Sequence, residues 1–217
     1  MAAAKPPTKW GDKAQRRVDI LDAARARIAA DGYLALNMRD LAADAGVSPA
    51  TLYSYFANKE QLFATLYAEA IRAHTEAFRP LADAGLGLAD LLTKVLEGYL
   101  DLWRTYGRHF TMWSAMRRDL DPDDAPFPPE LIDELRHATI AHNKVLMESV
   151  REAAARDHRR LVDAKLVPSF LWSTLNGLAD HVVSERRALD PFPARRLIEF
   201  AGRRLAVAIT EEGTSAR

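Results

Sequence analysis

Apolar residues recur at helical spacing along nearly the whole chain, and no stretch alternates apolar and polar residues for long enough to make a useful strand. The first helix is predicted over residues 13–30, with Val18, Leu21, Ala24 and Ile28 on one face and Asp31-Gly32 as its stop. A helix over 58–78 follows a short, heavily punctuated segment and presents Leu62, Phe63, Leu66, Tyr67, Ala70 and Ile71. Pro80 and the run Gly85-Leu86-Gly87 mark a boundary. Beyond it, helices are predicted over 88–105 and 107–118. A proline-rich loop over 119–129 separates them from a long helix over 130–158. Two more helices, 168–187 and 194–211, flank the break at Asp190-Pro191-Phe192-Pro193. No internal repeat is visible. The pattern predicts an all-α chain in two parts, a small helical bundle over 13–72 and a larger helical domain over 80–212.

Residues 37–63, NMRDLAADAGVSPATLYSYFANKEQLF, are the most sharply punctuated part of the chain. Asn37 is placed to cap a helix, with Asp40 three residues on as a box-like partner. Leu41, Ala42 and Ala45 form that helix's apolar face, and Gly46 stands where a left-handed C-terminal residue belongs. Val47 plugs the turn. Ser48 is the next N-cap and Pro49 takes the first helical position, where its missing N–H costs nothing. Ala50 to Phe56 make a second short helix, and Asn58 with Gln61 starts a third. Two short helices joined by a tight, glycine-containing turn form a helix-turn-helix, a shape that places its second helix in a DNA major groove.

These residues resemble the TetR family of bacterial transcriptional regulators. The resemblance is carried by Arg39-Asp40-Leu41-Ala42, Ala45-Gly46-Val47-Ser48, Thr51-Leu52-Tyr53, Tyr55-Phe56 and Lys59-Glu60. It extends back to Ile20-Leu21-Asp22-Ala23-Ala24 and Asp31-Gly32-Tyr33, covering roughly residues 13–72. Asn37 stands where the family usually has Thr, an equally good cap. The resemblance implies an N-terminal three-helix DNA-binding bundle and a C-terminal helical domain for ligand binding and dimerisation. It also implies a non-enzymatic, ligand-responsive repressor acting as a homodimer in the cytoplasm on double-stranded, palindromic or near-palindromic operator DNA.

Phosphate contacts position such a protein and base contacts specify its site. Helix N-termini at Asn37, Ser48 and Asn58 offer free N–H groups to phosphate, and Lys59 adds a full charge. By resemblance Tyr53, Tyr55 and Lys59 contact the DNA backbone; for each tyrosine, partial core packing is the alternative. Leu52 and Phe56, four apart, face the core, which leaves Ala50, Thr51 and Ser54 to face the groove. Arg39 arrives from the preceding helix, either to a base, to a phosphate or to a pair on its own helix surface.

The 217 residues carry no net charge, which at first argues against nucleic acid. Residues 1–30 nevertheless hold seven basic side chains against three acidic ones, and a local basic segment is what binds phosphate. A solvated tail is the alternative for Lys5 and Lys9. The hydrophobic share of 48% and charged share of 28% are those of a soluble globular protein. The absence of Cys excludes disulfides and thiolate metal sites and fits a reducing compartment. No signal-peptide core and no membrane-spanning run is present, so no membrane partner is expected.

In the second domain, Trp103, Tyr106, Phe110 and Trp113 recur at spacings of three, four and three, with Met112 and Met116 alongside. Trp172 and Asn176 sit one turn apart on a later helix. Such a stripe lines an apolar effector pocket or is simply core. Two further seams, Leu171, Leu175, Leu178 and Val182, then Leu197, Ala201, Leu205 and Ala208, suit helix-on-helix packing, with Gly177 and Ala179 allowing close approach. The resemblance assigns them to a dimer interface; packing within one chain is the alternative. Glu134 and His137 make half of a carboxylate-bridged di-iron motif without a second copy, and the remaining histidines are not clustered at ligand spacings. No metal, cofactor or catalytic residue is expected, since no nucleophile elbow or phosphate loop is present. A protein of this fold controlled by a protein partner, through the loop at 119–129, is the competing reading.

Overall fold

The computed structural model describes residues 13–107, 128–184, 188–189 and 191–212. These fall into two compact units, divided within a helix between Leu66 and Tyr67. Eight α-helices account for most of the described residues.

The first unit contains α1 (Lys13–Asp31), a 3₁₀ turn (Tyr33–Ala35), α2 (Met38–Asp44), α3 (Pro49–Tyr55) and the start of α4 (Lys59–Asp83). Ile20, Leu21, Ala24 and Ile28 turn inward from α1 and meet Leu41, Leu52, Phe56 and Leu62 in the core. Val18, expected on the buried face, is 46% exposed. At 3.6 residues per turn it lies roughly a quarter turn from the stripe that Ile20, Ala24 and Ile28 define. Arg27 of α1 reaches across to the Asp44 carboxylate of α2, with Asp40 3.9 Å away. That guanidinium lowers the Asp44 pKa below the usual carboxylate range.

The second unit holds the remainder of α4, α5 (Leu88–Leu102), α6 (Pro129–Arg156), α7 (Val167–Val183) and α8 (Ala194–Ala208). Pro80, expected to mark a boundary, lies inside α4, which runs on to Asp83. One turn from the end, the hydrogen bond that a proline removes is among the last the helix makes, so the cost is small. The predicted helix over 88–105 gives way after Leu102 to a π-helical turn, Trp103–Gly107. A Cβ at Gly107 would stand 2.2 Å from Trp103 Cε3, so the indole occupies the space a side chain would need. The predicted helix over 107–118 and the loop over 119–129 lie outside the described residues up to position 127.

Helix α5 is the centre of this unit. Leu88, Leu91, Leu92, Val95, Leu96, Tyr99 and Leu100 are all buried, a stripe too wide for one neighbour. Its N-cap, Gly87, has no side chain, and the cap comes from elsewhere: Leu88 N–H donates to Asp157 Oδ2 at 2.8 Å. Arg156 donates to the Leu86 carbonyl at 3.0 and 3.2 Å, holding the same loop. After α6, His158 takes a positive φ of 55° and the chain enters a short strand, β1 (Arg159–Leu161). It pairs antiparallel with β2 (Thr210–Glu212), Arg160 opposite Glu211 with an ion pair of 2.8 Å. The chain pattern had shown no strand, because three residues are too few to alternate visibly. None of the described helices is long and apolar enough to cross a membrane.

Helices α5 and α8 are in close contact at Gly202. A Cβ there would meet Thr93 Oγ1 at 2.1 Å and the Ala89 carbonyl oxygen at 2.9 Å. Gly202→Ala must therefore push the helices apart. The expected cost is about 1–3 kcal/mol of stability, read as a lowered midpoint in urea unfolding; an unchanged midpoint would mean that the helices do not touch there.

Candidate functional site

The turn between α2 and α3 is built from backbone hydrogen bonds. Gly46 has φ of 64°, Gly46 N–H donates to the Ala43 carbonyl at 3.1 Å, and Val47 N–H donates to the Ala42 carbonyl at 2.9 Å. This is the Schellman closure, and the left-handed residue within it favours glycine. The caps follow the sequence. Asn37 Oδ1 accepts from Arg39 N–H at 2.8 Å and Ser48 Oγ from Thr51 N–H at 3.0 Å. Asn58 Oδ1 accepts from Gln61 N–H and Gln61 Oε1 from Ala57 N–H, both at 2.7 Å. Asp40 does not return to the Asn37 cap; its carboxylate faces Arg27.

Leu52 and Phe56 are buried, and this decides which side of α3 faces out. Ala50, Tyr53 and Ser54 are exposed, Thr51 and Tyr55 half-buried, with Asn37, Arg39 and Ser48 exposed nearby in sequence. Ser54 Oγ donates to the Thr51 carbonyl at 2.7 Å, leaving its lone pairs outward. Thr51 Oγ1 lies 2.8 Å from Ser48 Oγ. Among the described residues no carboxylate pairs with Arg39 or Lys59. Lys59 Nζ instead stands 5.0 Å from the centre of the Tyr33 ring. The Tyr33 hydroxyl donates to Glu60 Oε1 at 3.2 Å, and burial together with that carboxylate pushes its pKa up. Tyr33, which enters the sequence reading only through the family resemblance, follows Gly32, at φ of 79°, and its ring also lies 4.5 Å from that of Phe63.

In the second unit a cleft of about 410 Å³ opens among α4 to α7. Tyr67 and Ile71 line it from α4, Tyr99 from α5, His142 and Asn143 from α6, and Trp172 from α7. Of the aromatic residues singled out from sequence, Trp172 is in this wall, edge-on to Tyr99 at 5.8 Å between centroids. Asn176 stands behind it, accepting from the Tyr99 hydroxyl at 2.9 Å and donating to the Trp172 carbonyl at 2.6 Å. Trp103 and Tyr106 are buried and line no part of the cleft; their rings lie 6.0 Å from those of Tyr99 and Tyr67. Phe110, Met112, Trp113 and Met116 lie outside the described residues. Burial pushes the Tyr67 pKa up to about 12.

The fold brings together two histidines that no sequence spacing relates. The His74 and His142 rings lie 5.2 Å apart, and His142 Nδ1 is 3.0 Å from Thr75 Oγ1. Burial pushes both imidazoles down, His142 to about 4 with the neighbouring His74 adding to the effect, while Asp101 partly opposes the shift of His74. Glu134, half of the di-iron motif, instead accepts from Arg72 Nη2 at 2.8 Å, and His137 is exposed. Among the described residues no group of three His, Asp or Glu side chains is arranged to hold a metal.

The seam residues of α7 and α8 face largely inward. Leu171, Leu175, Val182, Ala201 and Leu205 belong to the unit's own core, and Leu178 and Leu197 pack against it. Only Ala208 is exposed. The outward faces carry a different apolar set, Phe170, Val183, Phe200 and Val207, and Gly177 faces open space.

A histidine held below its unfolded pKa of about 6.5 makes the folded state refuse a proton that the unfolded chain accepts. The stability that His142 and His74 contribute is thus complete above pH 6.5 and is lost as pH falls toward 4. For His142 the loss by pH 5 is about 2 kcal/mol. Wild type should lose more stability than His142→Gln between pH 7 and pH 5 in paired urea titrations; parallel losses would contradict a neutral, buried imidazole.

Known proteins match this geometry. Residues 20–66 fit the model of the bacterial regulatory proteins, tetR family. The HTH-type transcriptional regulator BetI of Rhizobium meliloti (strain 1021) is 46% identical over 54 residues, 25% of this chain and 27% of that one. The chain thus spans about a quarter of that relative's length. Two solved structures share the fold over nearly the full chain. The transcriptional regulator FadR from Bacillus subtilis, in complex with stearoyl-CoA, is 21% identical with a TM-score of 0.60, over 88% of this chain and 98% of that one. A protein from Rhodococcus sp. RHA1 is 18% identical with a TM-score of 0.68, over 95% and 100%. The part of the chain that matches the family model, residues 20–66, is its N-terminal helix-turn-helix unit, and that unit is similar to the bacterial regulatory proteins of the tetR family.

Proposed function

We propose that the chain is a dimeric, sequence-specific DNA-binding transcriptional regulator, a repressor released from its operator when a small, largely apolar ligand enters the cleft. The observation that carries this reading is the outward face of α3. Ala50, Thr51 and Ser54 stand clear of the buried Leu52 and Phe56, with no carboxylate paired to Arg39 or Lys59 among the described residues. Small side chains on a short helix are what a major groove admits, and unpaired cations flanking it are what phosphates attract. Lys59 and Tyr53 serve the phosphates in this reading, and Thr51, Ser54 and Arg39 the bases.

The cleft supports the effector role: it is apolar and aromatic with a few polar groups, the usual composition of a small-molecule site. A ligand shifts DNA affinity only if the two prefer different conformations, and the coupling is reciprocal. Dimerisation is assigned to α7 and α8, through Phe170, Val183, Phe200 and Val207 rather than through the inward seam. Side chains already in a core are unavailable to a second subunit, whereas these are exposed and apolar. A two-fold dimer reads two half-sites about one helical turn, or a multiple of it, apart. Its place is the cytoplasm, where the DNA is.

Two experiments test this reading. Purified protein should bind DNA from upstream of its own coding sequence more tightly than a scrambled fragment, and more weakly as salt rises. Lys59→Ala should weaken binding to both fragments and reduce the salt slope by about one per subunit. Equal, weak binding to the two fragments by wild type would count against the regulator, and an unchanged slope against the phosphate role. In a selection from random DNA, Thr51→Ala and Ser54→Ala should change the preferred bases at one or two positions of each half-site. Identical selected sequences would remove both residues from base reading.

A further inference from the structure

The polar groups of the cleft define what kind of molecule it accepts. Thr75 is buried, and its Oγ1 lies 2.8 Å from the Ile71 carbonyl oxygen and 3.0 Å from His142 Nδ1. A threonine hydroxyl has a single proton, and a carbonyl oxygen can only accept. The proton therefore goes to Ile71, and toward His142 the hydroxyl accepts. That places the imidazole proton on Nδ1 and leaves Nε2 with a lone pair. His142 lines the cleft and has no other hydrogen-bond partner among the described residues.

Charge narrows the choice. Among the described residues the cleft wall contains no Lys, Arg, Asp or Glu. The neighbouring His74 makes no hydrogen bond among the described residues and is packed against Gly98, where a Cβ would stand 3.1 Å from its Cε1. It has no room on that side to swing away and leave space for a counter-ion. An anion entering the cleft would meet the His142 lone pair and only neutral donors, those of Asn143, Ser169 and Ser173, with no cation; an ammonium group would meet no carboxylate. Either would lose its hydration without compensation. An uncharged donor meets acceptors that are held in place: His142 Nε2, beside the hydroxyl oxygens of Tyr99 and Thr139, whose protons go to Asn176 and to the Leu135 carbonyl. The rest of the wall, with Tyr99 edge-on to Trp172 and Ile71 alongside, suits a flat ring.

We infer that the cleft takes an uncharged aromatic molecule bearing a hydroxyl group, whose O–H is accepted by His142 Nε2 while its ring lies against Tyr99 and Trp172. This rests on the effector role proposed for the cleft. His142 is the specificity-determining contact, and Thr75 positions it by fixing the tautomer.

Three probes of one size and shape separate the alternatives: para-phenylphenol, its methyl ether, and para-phenylbenzoate. Calorimetry on the full chain without DNA should show the phenol binding about tenfold tighter than the ether, which leaves Nε2 unpaired. The benzoate should bind most weakly. In Thr75→Val the imidazole is free to take the other tautomer, so the preference for phenol over ether should fall to about twofold or less. His142→Phe should abolish the preference, and the near-ultraviolet circular dichroism of both variants reports whether they fold. Equal affinities of phenol and ether in wild type overturn the inference, as does a preference for the benzoate, the absence of binding by all three, or a folded Thr75→Val that keeps the full preference. The regulator reading stands or falls separately, on DNA binding without ligand: protein that binds DNA and ignores the probes loses only the ligand assignment, and protein that binds the phenol but no DNA loses only the regulator.

Discussion

Helix α3 has seven residues, too few to be stable alone in water. It exists because Leu52 and Phe56 are buried in the first unit, and which of its side chains face outward depends on that burial. The two side chains set the rotation of the helix about its axis, and hence which residues are left outside. The Schellman turn at Gly46 and the Ser48 cap set its direction. Removing either anchor would leave Thr51 and Ser54 without a defined place on the surface. Exposed polar residues are useful here only because buried apolar ones hold them still.

The second unit solves a different problem. Helix α5 starts from Gly87, which has no side chain to cap it. Its N-terminus is closed instead by Asp157, and a carboxylate there also meets the positive end of the helix dipole. Gly87 leaves the room: a Cβ at that position would stand 3.1 Å from Asp157 Oδ1. The same economy appears at Gly202 and Gly107, where close packing replaces a side chain. Around this tightly packed axis the cleft keeps its volume: Thr75 holds His142 and bonds to the Ile71 carbonyl, and Asn176 holds Tyr99 and bonds to the Trp172 carbonyl.

The sequence by itself determined what is local. Caps at Asn37, Ser48 and Asn58, the glycine at position 46 and the burial of Leu52 and Phe56 were all legible, because each depends on residues no more than a few positions away. Helical periodicity placed the helices for the same reason, missing ends by a few residues and stopping α4 short of Pro80, which the helix contains. What only the tertiary structure decided was every contact between distant segments. The cap on α5 comes from 69 residues away, the hydroxyl beside His142 Nδ1 from 67, and the brace on Tyr99 from 77. Periodicity marks an apolar stripe but not its partner, so the spacing of the seams of α7 and α8 left open whether they pack within the chain, as most of their residues do, and did not mark Phe200 and Val207 as exposed. An aromatic stripe likewise has the same spacing whether it lines a cleft, as Trp172 does, or fills a core, as Trp103 does. The physical reason is that hydrogen-bond geometry within a turn is fixed by short covalent paths, whereas the meeting of two helices is fixed by the shape of everything packed around them.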